Sequence, residues 1–389
     1  MAARILAAFF LTLRLGRHWL AGRAPHMKVA LVHDFLLKLG GAERVLKVFA
    51  DMYPDAPIYT LLYDEKVCGS VFPAERVRTS SLQNLPKFLR RRHRWLTGRM
   101  PRAIEELDLS EFDLVLSSSA AYSHGLIVPI ETQHICYCHS PMRYAWDHAS
   151  EYLEENKVRG VRKVLYSWLI RSLREWDHIA ADRPDKYLAN SETVSRRLEK
   201  YYRVKSEVVF PPVDVDKFKV KEGHSDYFLI VSTLTPYKKI DLAVQLFNKI
   251  GRRLVIIGNG SHREYLEAIA ADNIDFLGFK SDEDVREYMQ NCRALIFPGE
   301  DDFGIVPVEA MACGKPVLAY GKGGALETVV AGKTGEFFYD PTVESMEDGL
   351  ARLMYNEREY KPLGIRRHAN QFSRDEFEEK IKKEIAKVI

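Results

Sequence analysis

Short runs of β-branched and aliphatic residues alternate along this chain with longer stretches whose apolar residues recur at helical spacing. Val29–His33 is a mostly apolar run that predicts a buried strand. Gly40-Gly41 follows, then Ala42–Met52, where Val45, Leu46, Phe49 and Ala50 share one helical face. Leu114–Ser117, His134–Cys138 and Lys186–Ala189 predict further strands. The last runs into Asn190-Ser191, a natural cap for a helix over Glu192–Tyr202. Glu207–Phe210 then meets Pro211-Pro212, a stiff connection that ends the first half. A second set follows at Tyr227–Ser232, Leu254–Ile257, Ile274–Leu277, Ala294–Phe297 and Pro316–Ala319, each succeeded by turn residues and a helix-like stretch. This alternation is the pattern of α/β folds with parallel sheets. Two sets joined by prolines predict two lobes, 27–210 and 211–374, facing a cleft.

Size and composition agree with that picture. A chain of 389 residues, 46% hydrophobic and 29% charged, has material for two cores and none of the bias of a disordered protein. No run of 18 apolar residues predicts a membrane span. The net charge of +3 comes from the first 26 residues, which hold Arg4, Arg14, Arg17 and Arg23 and no acid; without them the body carries −1. A neutral body gives no reason to expect nucleic acid. Residues 1–26 read as an added leader or tag ending at His26, before Met27-Lys28-Val29-Ala30; an amphipathic membrane-surface extension is the alternative. The five cysteines (68, 136, 138, 292, 313) fit a reducing, cytoplasmic compartment. Cys136-x-Cys138-His139 lacks the second ligand pair a zinc site requires, so no metal or other cofactor is expected.

The chemistry concentrates in Ala294–Gly314, ALIFPGEDDFGIVPVEAMACG. A strand enters an acidic loop, and a helix starts near Ile305. A helix N-terminus presents unpaired N–H groups and partial positive charge, a ready anion site. Asp301 precedes that start, and Glu309 lies roughly 6 Å up the axis at 1.5 Å per residue. Two carboxylates would repel a bare phosphate. They suit a phosphate flanked by hydroxylated rings, because carboxylates accept hydrogen bonds from vicinal hydroxyls. A nucleotide sugar is such a ligand.

The strand, the acidic residue and Phe303-Gly304-x-x-Pro307-x-Glu309-Ala310-Met311-Ala312-x-Gly314 resemble the signature of the GT-B glycosyltransferases of family 4. The resemblance covers the body from Lys28 onward. It implies two Rossmann-like domains, with a final helix, about 375–389, returning to the first. It implies a retaining, metal-independent enzyme. By the same resemblance Asp301, standing where the family has glutamate, contacts the donor's sugar hydroxyls, and Glu309 holds the ribose. The backbone of Phe303, Gly304, Ile305 and Val306 faces sugar and phosphates. Gly40 and Gly41 resemble the family's glycine-rich loop. Thr233-Leu234-Thr235-Pro236-Tyr237-Lys238-Lys239 resembles the stretch carrying a diphosphate-binding arginine and lysine: Lys238 matches the lysine, Thr233 stands at the arginine position, and Lys239 supplies part of the missing charge. His139, in CYCHSPMRYAWD, matches a histidine near the reacting centre, and Arg143 and Tyr144 are exposed-loop candidates for the acceptor side. By the resemblance Gly258, Gly260, Gly278 and Phe279 fall in loops around the nucleotide, and Gly323-Gly324-x-x-Glu327 matches the loop after the last strand. The subgroup resembled is that of O-antigen and exopolysaccharide mannosyltransferases, which implies GDP-mannose as donor and a glycan or lipid-linked glycan as acceptor. A UDP-hexose donor, a same-fold epimerase and a non-catalytic nucleotide-sugar-binding protein are the alternatives.

Two other features stand apart. Asp214-x-Asp216 imitates a metal-binding pair but reads as helix capping. Lys87–Arg102 holds seven Lys/Arg, including Arg90, Arg91, Arg92 and Arg94, with Phe88, Trp95 and Leu96 and no acid. Basic and aromatic residues together suit an anionic lipid surface, which implies peripheral attachment at the inner face of the cell membrane; a polyanion site and a solvated helix face are the alternatives. Oligomeric state is not legible in the sequence.

Overall fold

The computed structural model describes residues 27–146, 160–221 and 223–389, so the expectations for residues 1–26 lie outside the described residues. Seven parallel strands form the first sheet: β1 (Val29–Leu36), β2 (Ile58–Tyr63), β3 (Val77–Thr79), β4 (Leu114–Ser119), β5 (Gln133–Cys138), β6 (Lys186–Ala189) and β7 (Ser206–Val208), in the order β3-β2-β1-β4-β5-β6-β7. Six more form the second: β8 (Phe228–Val231), β9 (Leu254–Ile257), β10 (Ile274–Gly278), β11 (Leu295–Phe297), β12 (Val317–Tyr320) and β13 (Gly335–Phe338), in the order β10-β9-β8-β11-β12-β13. Strands β2, β3, β7 and β13 are additions to the sequence reading.

The strand sequences explain why both sheets are sandwiched. In β1, Val29 and Leu31 join one apolar cluster while Ala30 and Val32 join another, the two-face alternation of a strand covered on both sides. Helix α1 (Gly41–Met52) lays Val45, Leu46, Val48 and Phe49 on the first of these clusters. Helix α2 (Val161–Ala180) covers the other face through Leu173. The expected helix after Ser191 is α3 (Glu192–Arg197), capped by the Ser191 hydroxyl accepting from Val194 N at 3.1 Å; the chain then widens into one π-helical turn, Leu198–Tyr202. Asp214 precedes a 3₁₀ turn at Val215–Lys217 but makes no side-chain cap. Its carboxylate takes Lys217 at 2.5 Å, and Asp216 takes Arg366 at 3.2 Å, so ion pairing replaces the expected capping.

The chain crosses between lobes twice, side by side: Val213 N donates to Phe372 O at 2.9 Å. After the second crossing, α6 (Arg374–Ile385) seats Phe377, Ile381 and Ile385 in the first lobe's core, with the Phe377 ring 5.7 Å from Phe49 and 5.6 Å from Tyr137. Lys186 to Glu384 (2.5 Å) and Arg374 to Asp51 (3.0 Å) flank it. The helix that ends the chain thus completes the lobe that begins it.

In each sheet the strand order reverses once, between β1 and β4 and between β8 and β11. Ligands of open parallel sheets settle beyond the carboxyl ends of strands at such switch points. Among the described residues no helix is long and apolar enough to cross a membrane.

Candidate active site

The second lobe's switch point is built from loops that touch backbone to backbone. Beyond β11, Gly299 lies against Lys238, where a Cβ would meet the Lys238 Cα at 2.8 Å. Beyond β12, Gly323 and Gly324 lie under Asp301, Asp302 and Phe303. Beyond β9, Gly258 and Gly260 leave room for the main chain of Ser232 and Leu234. The acidic loop is therefore held between glycines. It ends at Gly304, whose φ of +85° lets the chain turn into α5 (Ile305–Ala312). Phe303 anchors the turn, its ring 5.6 Å from both Phe210 and Phe372. The first turn of α5 leaves its N–H groups without partners in the helix, with Pro307 costing no hydrogen bond at that position.

Each carboxylate of the motif is held by a cation. Asp301 pairs with Lys238, and Glu309, buried on α5, accepts from Arg44 Nη1 at 2.5 Å. Thr233 is exposed and brings no charge. Lys239 is exposed, with φ +52°, and begins helix α4 (Ile240–Ile250). Phe279 stands 84% exposed beyond β10, beside the Gly278 turn that faces Asn259 and Arg263.

The first lobe supplies the opposite wall. A Cβ on Gly41 would lie 2.9 Å from Ile305 Cδ1, so the glycine loop rides on the first residue of α5. Gly40 N–H donates to the Glu43 carboxylate at 2.8 Å, and Glu43 sits 3.6 Å from His33 Nε2. Burial pushes the Glu43 carboxyl up, but hydrogen bonding and charge from His33 bring it below the ordinary range. His33 Nδ1 lies 3.1 Å from both the carbonyl and the hydroxyl of Ser118. A carbonyl only accepts, so His33 donates from Nδ1. The Ser118 hydroxyl, 2.8 Å from His139 Nε2, is then free to donate there, which leaves the His139 proton on Nδ1. Burial, helped by repulsion from His33, lowers the His139 pKa to about 4, so at neutral pH the ring is an uncharged donor. Buried Asp34 fixes the floor: its carboxylate accepts from Ala120 N, Tyr122 N, Ser123 N and Ser123 Oγ within 2.7–2.9 Å.

Further ion pairs tie the lobes together beside this wall. Arg197 on α3 pairs with Asp302 and, at 3.5 Å, with Glu300; Arg143 approaches Asp302 at 3.7 Å. Glu327, below the Gly323-Gly324 turn, accepts from Glu192 N (2.7 Å), Thr193 N (3.0 Å) and Thr193 Oγ1 (3.0 Å), capping α3 from the other lobe. Tyr144 departs from its expected exposure: it is half-buried, and its hydroxyl donates to Tyr122 in the first lobe's core at 2.5 Å. Its phenol thus faces inward while the neighbouring Arg143 faces the acidic loop. Cys136 and Cys138 are buried in an apolar cluster, and burial raises the Cys136 thiol to about 12. Arg44, Ser118, Arg197 and Asp302 were not among the residues the sequence singled out.

The basic segment belongs to the first lobe and borders the ends of β1 and β2. Phe88 and Trp95 are more than 60% exposed, Leu96 is buried, and Arg92 lies over the Trp95 ring at 4.8 Å. Arg90 is partly buried; the side chains of Arg91 and Arg94 lie outside the described residues. Gly98 packs against Leu169 of α2, which exposes Val164, Leu165 and Trp168 alongside. A groove of about 450 Å³ at the ends of β1 and β2 is lined by Leu37, Asp64, Glu65, Gln83, Lys87 and Arg90.

Comparison with known proteins accords with this geometry. Residues 214–370 match the family model of glycosyl transferases group 1, and residues 39–217 that of glycosyltransferase family 4. An uncharacterized glycosyltransferase of Methanocaldococcus jannaschii is 28% identical over 190 residues, 48% of this chain and 54% of the relative. A GDP-mannose-dependent α-(1-6)-phosphatidylinositol monomannoside mannosyltransferase of Mycolicibacterium smegmatis is 27% identical over 185 residues, 40% of this chain and 48% of that one. The chain thus spans about half the length of the curated relatives it matches. The structure of Anabaena HepE in complex with UDP superposes with a TM-score of 0.68 at 16% identity, over 93% of this chain and all of that one. With the doubly wound lobes, the paired carboxylates around α5 and two family models that together run from residue 39 to 370, the chain belongs to family 4 of the GT-B glycosyltransferases.

Proposed function

We propose that this protein is a retaining, metal-independent hexosyltransferase that moves mannose from GDP-mannose to a hydroxyl of a glycan or lipid-linked glycan. The observation that carries the reading is the arrangement at α5: two hydroxyl-accepting carboxylates, Asp301 and Glu309, each already matched with a cation, on either side of a helix N-terminus. The likeness to a GDP-mannose-dependent enzyme supports the donor; HepE, solved with UDP, makes a UDP-hexose the second reading.

In the reaction the bond between the sugar C1 and the diphosphate oxygen breaks, and the acceptor oxygen bonds to C1 on the same face. The acceptor's proton passes to the departing phosphate. Lys238 and the α5 amides take up the charge that develops there, the role a divalent ion would otherwise fill. Neutral His139, held by Ser118, donates a hydrogen bond to the sugar. The polar groove lined by Asp64, Glu65 and Gln83 offers hydrogen bonds to an acceptor glycan.

Incubation with GDP-mannose, UDP-glucose and other nucleotide sugars, first alone and then with glycan acceptors, tests the reading. The expected donor raises the melting temperature by binding only the folded protein. It yields an α-linked product and nucleoside diphosphate in EDTA. Conversion of the donor without an acceptor would identify an epimerase, and binding without turnover a non-catalytic protein.

A lipid-linked acceptor places the work at a membrane, and the exposed Phe88, Trp95 and Trp168 among arginines form the matching surface. Vesicles rich in anionic lipid are expected to pellet residues 27–389, and Arg90→Glu with Arg92→Glu to lose most of that binding. Equal pelleting by neutral vesicles, or none by either, would remove the membrane from the reading.

A further inference from the structure

Two cations reach the N-terminal end of α5, and they come from different lobes. Lys238 belongs to the second lobe and is held by Asp301. Arg44 belongs to the first, on the opening turn of α1, three residues beyond the Gly41 that rests on Ile305. Its guanidinium bonds Glu309 at 2.5 Å. The pair is lopsided: the Glu309 side chain is 9% exposed, while that of Arg44 is 50% exposed and has room to swing. Glu309 itself sits one helical turn from the α5 terminus, roughly 6 Å along the axis. A guanidinium anchored at Glu309 is therefore within a side-chain rotation of any phosphate on that terminus.

This inference rests on the nucleotide-sugar reading above. A ribose whose hydroxyls donate to both oxygens of Glu309 competes with Arg44, which now bonds Oε1. Arg44 then needs another anion, and the diphosphate is the nearest. In the second lobe Lys238 is engaged by Asp301, Thr233 is uncharged and Lys239 is an exposed point charge, so no forked cation faces the two phosphates from that side. We infer that Arg44 is a donor-binding residue supplied by the first lobe, which passes from Glu309 to the donor's diphosphate when the ribose engages Glu309. Each lobe then gives one cation, and the diphosphate bridges the lobes. Planar, forked arginine suits this exchange, since carboxylate and phosphate present the same pair of oxygens.

Calorimetric titration of the wild type, Arg44→Ala and Arg44→Lys with GDP, GMP and guanosine, and with the uridine series, tests the exchange. The wild type is expected to bind one diphosphate well above its nucleoside. In Arg44→Ala the diphosphate weakens about 30-fold, the scale of a charge-assisted hydrogen bond. Nucleoside affinity holds or improves, because Glu309 no longer has a competing partner. Arg44→Lys falls between, as a point charge should. Equal loss of diphosphate and nucleoside in Arg44→Ala would mean that Arg44 only orients Glu309, and unchanged diphosphate affinity that it plays no part; either overturns the inference and leaves the nucleotide-sugar reading standing. A wild type that binds neither diphosphate removes that reading and the inference with it. Because the Arg44 side chain is half exposed, Arg44→Ala is expected to fold, and Arg44→Lys carries the same comparison if it does not.

Discussion

Glu309→Gln is expected to weaken donor binding about 100-fold, with little loss of stability, the equivalent of two hydrogen bonds to a charged acceptor. The carboxylate is buried against the cleft and its side-chain partner is Arg44. An amide of the same size keeps one acceptor oxygen and turns the other position into a donor, which faces a ribose hydroxyl and the Arg44 guanidinium alike. The folded state loses little, because Arg44 is half exposed and can be solvated by water. The effect should fall equally on nucleoside and nucleoside diphosphate, unlike that of Arg44→Ala. A 2′,3′-dideoxy nucleotide checks the assignment further: the wild type should bind it about 100-fold more weakly than the ribonucleotide, and Glu309→Gln should hardly tell them apart. Undiminished discrimination in the variant would place the ribose elsewhere.

How far the sequence anticipated this site depends on distance along the chain. The acidic loop, Gly304 and Glu309 form one contiguous stretch, and their spacing along a helix is a local property that can be read directly. Arg44 meets Glu309 across 265 positions, Arg197 meets Asp302 across 105, and Glu327 meets Glu192 across 135. No local pattern carries such pairs; they exist because the two lobes put their switch points face to face. The same rule governs the fold. Strands such as β8 and β9, continuous apolar runs buried on both sides, are evident from residue type. Strand β3 has three residues, two of them exposed, at the edge of its sheet, and offers no periodicity. Helix α2 leaves Val164, Leu165 and Trp168 exposed, so its apolar residues do not gather on a single buried face. That exposure makes them part of a surface rather than a core. Asp214 and Tyr144 show the converse. Their local signals were those of a cap and an exposed loop; Lys217, three residues on, claimed the Asp214 carboxylate, and the more distant Tyr122 claimed the Tyr144 hydroxyl.

The other large effect concerns a residue with no side chain to offer a ligand. Gly324→Ala is expected to lower kcat/KM about 100-fold, the penalty for moving catalytic groups by an ångström or so. Its φ of −66° suits alanine, so the backbone itself is not strained. The cost is steric: a Cβ would lie 2.2 Å from Phe303 Cα, 2.4 Å from Phe303 O and 2.6 Å from Asp302 O. All three are main-chain atoms, so no side-chain rotation relieves them and the loop must move. That loop carries Asp301, fixes the start of α5 and accepts the Gly324 N–H on Asp301 O at 2.9 Å. Glu309 lies a turn further along and keeps its place, so nucleoside affinity should change much less than turnover. Gly332→Ala is the control: φ is +70° there, but nothing lies within 4 Å of a Cβ. It should cost about 1 kcal/mol of stability through the backbone and leave turnover intact. If instead Gly324→Ala keeps kcat/KM within threefold of the wild type, the acidic loop tolerates displacement. Catalysis would then depend on α5 and the cations rather than on where Asp301 stands.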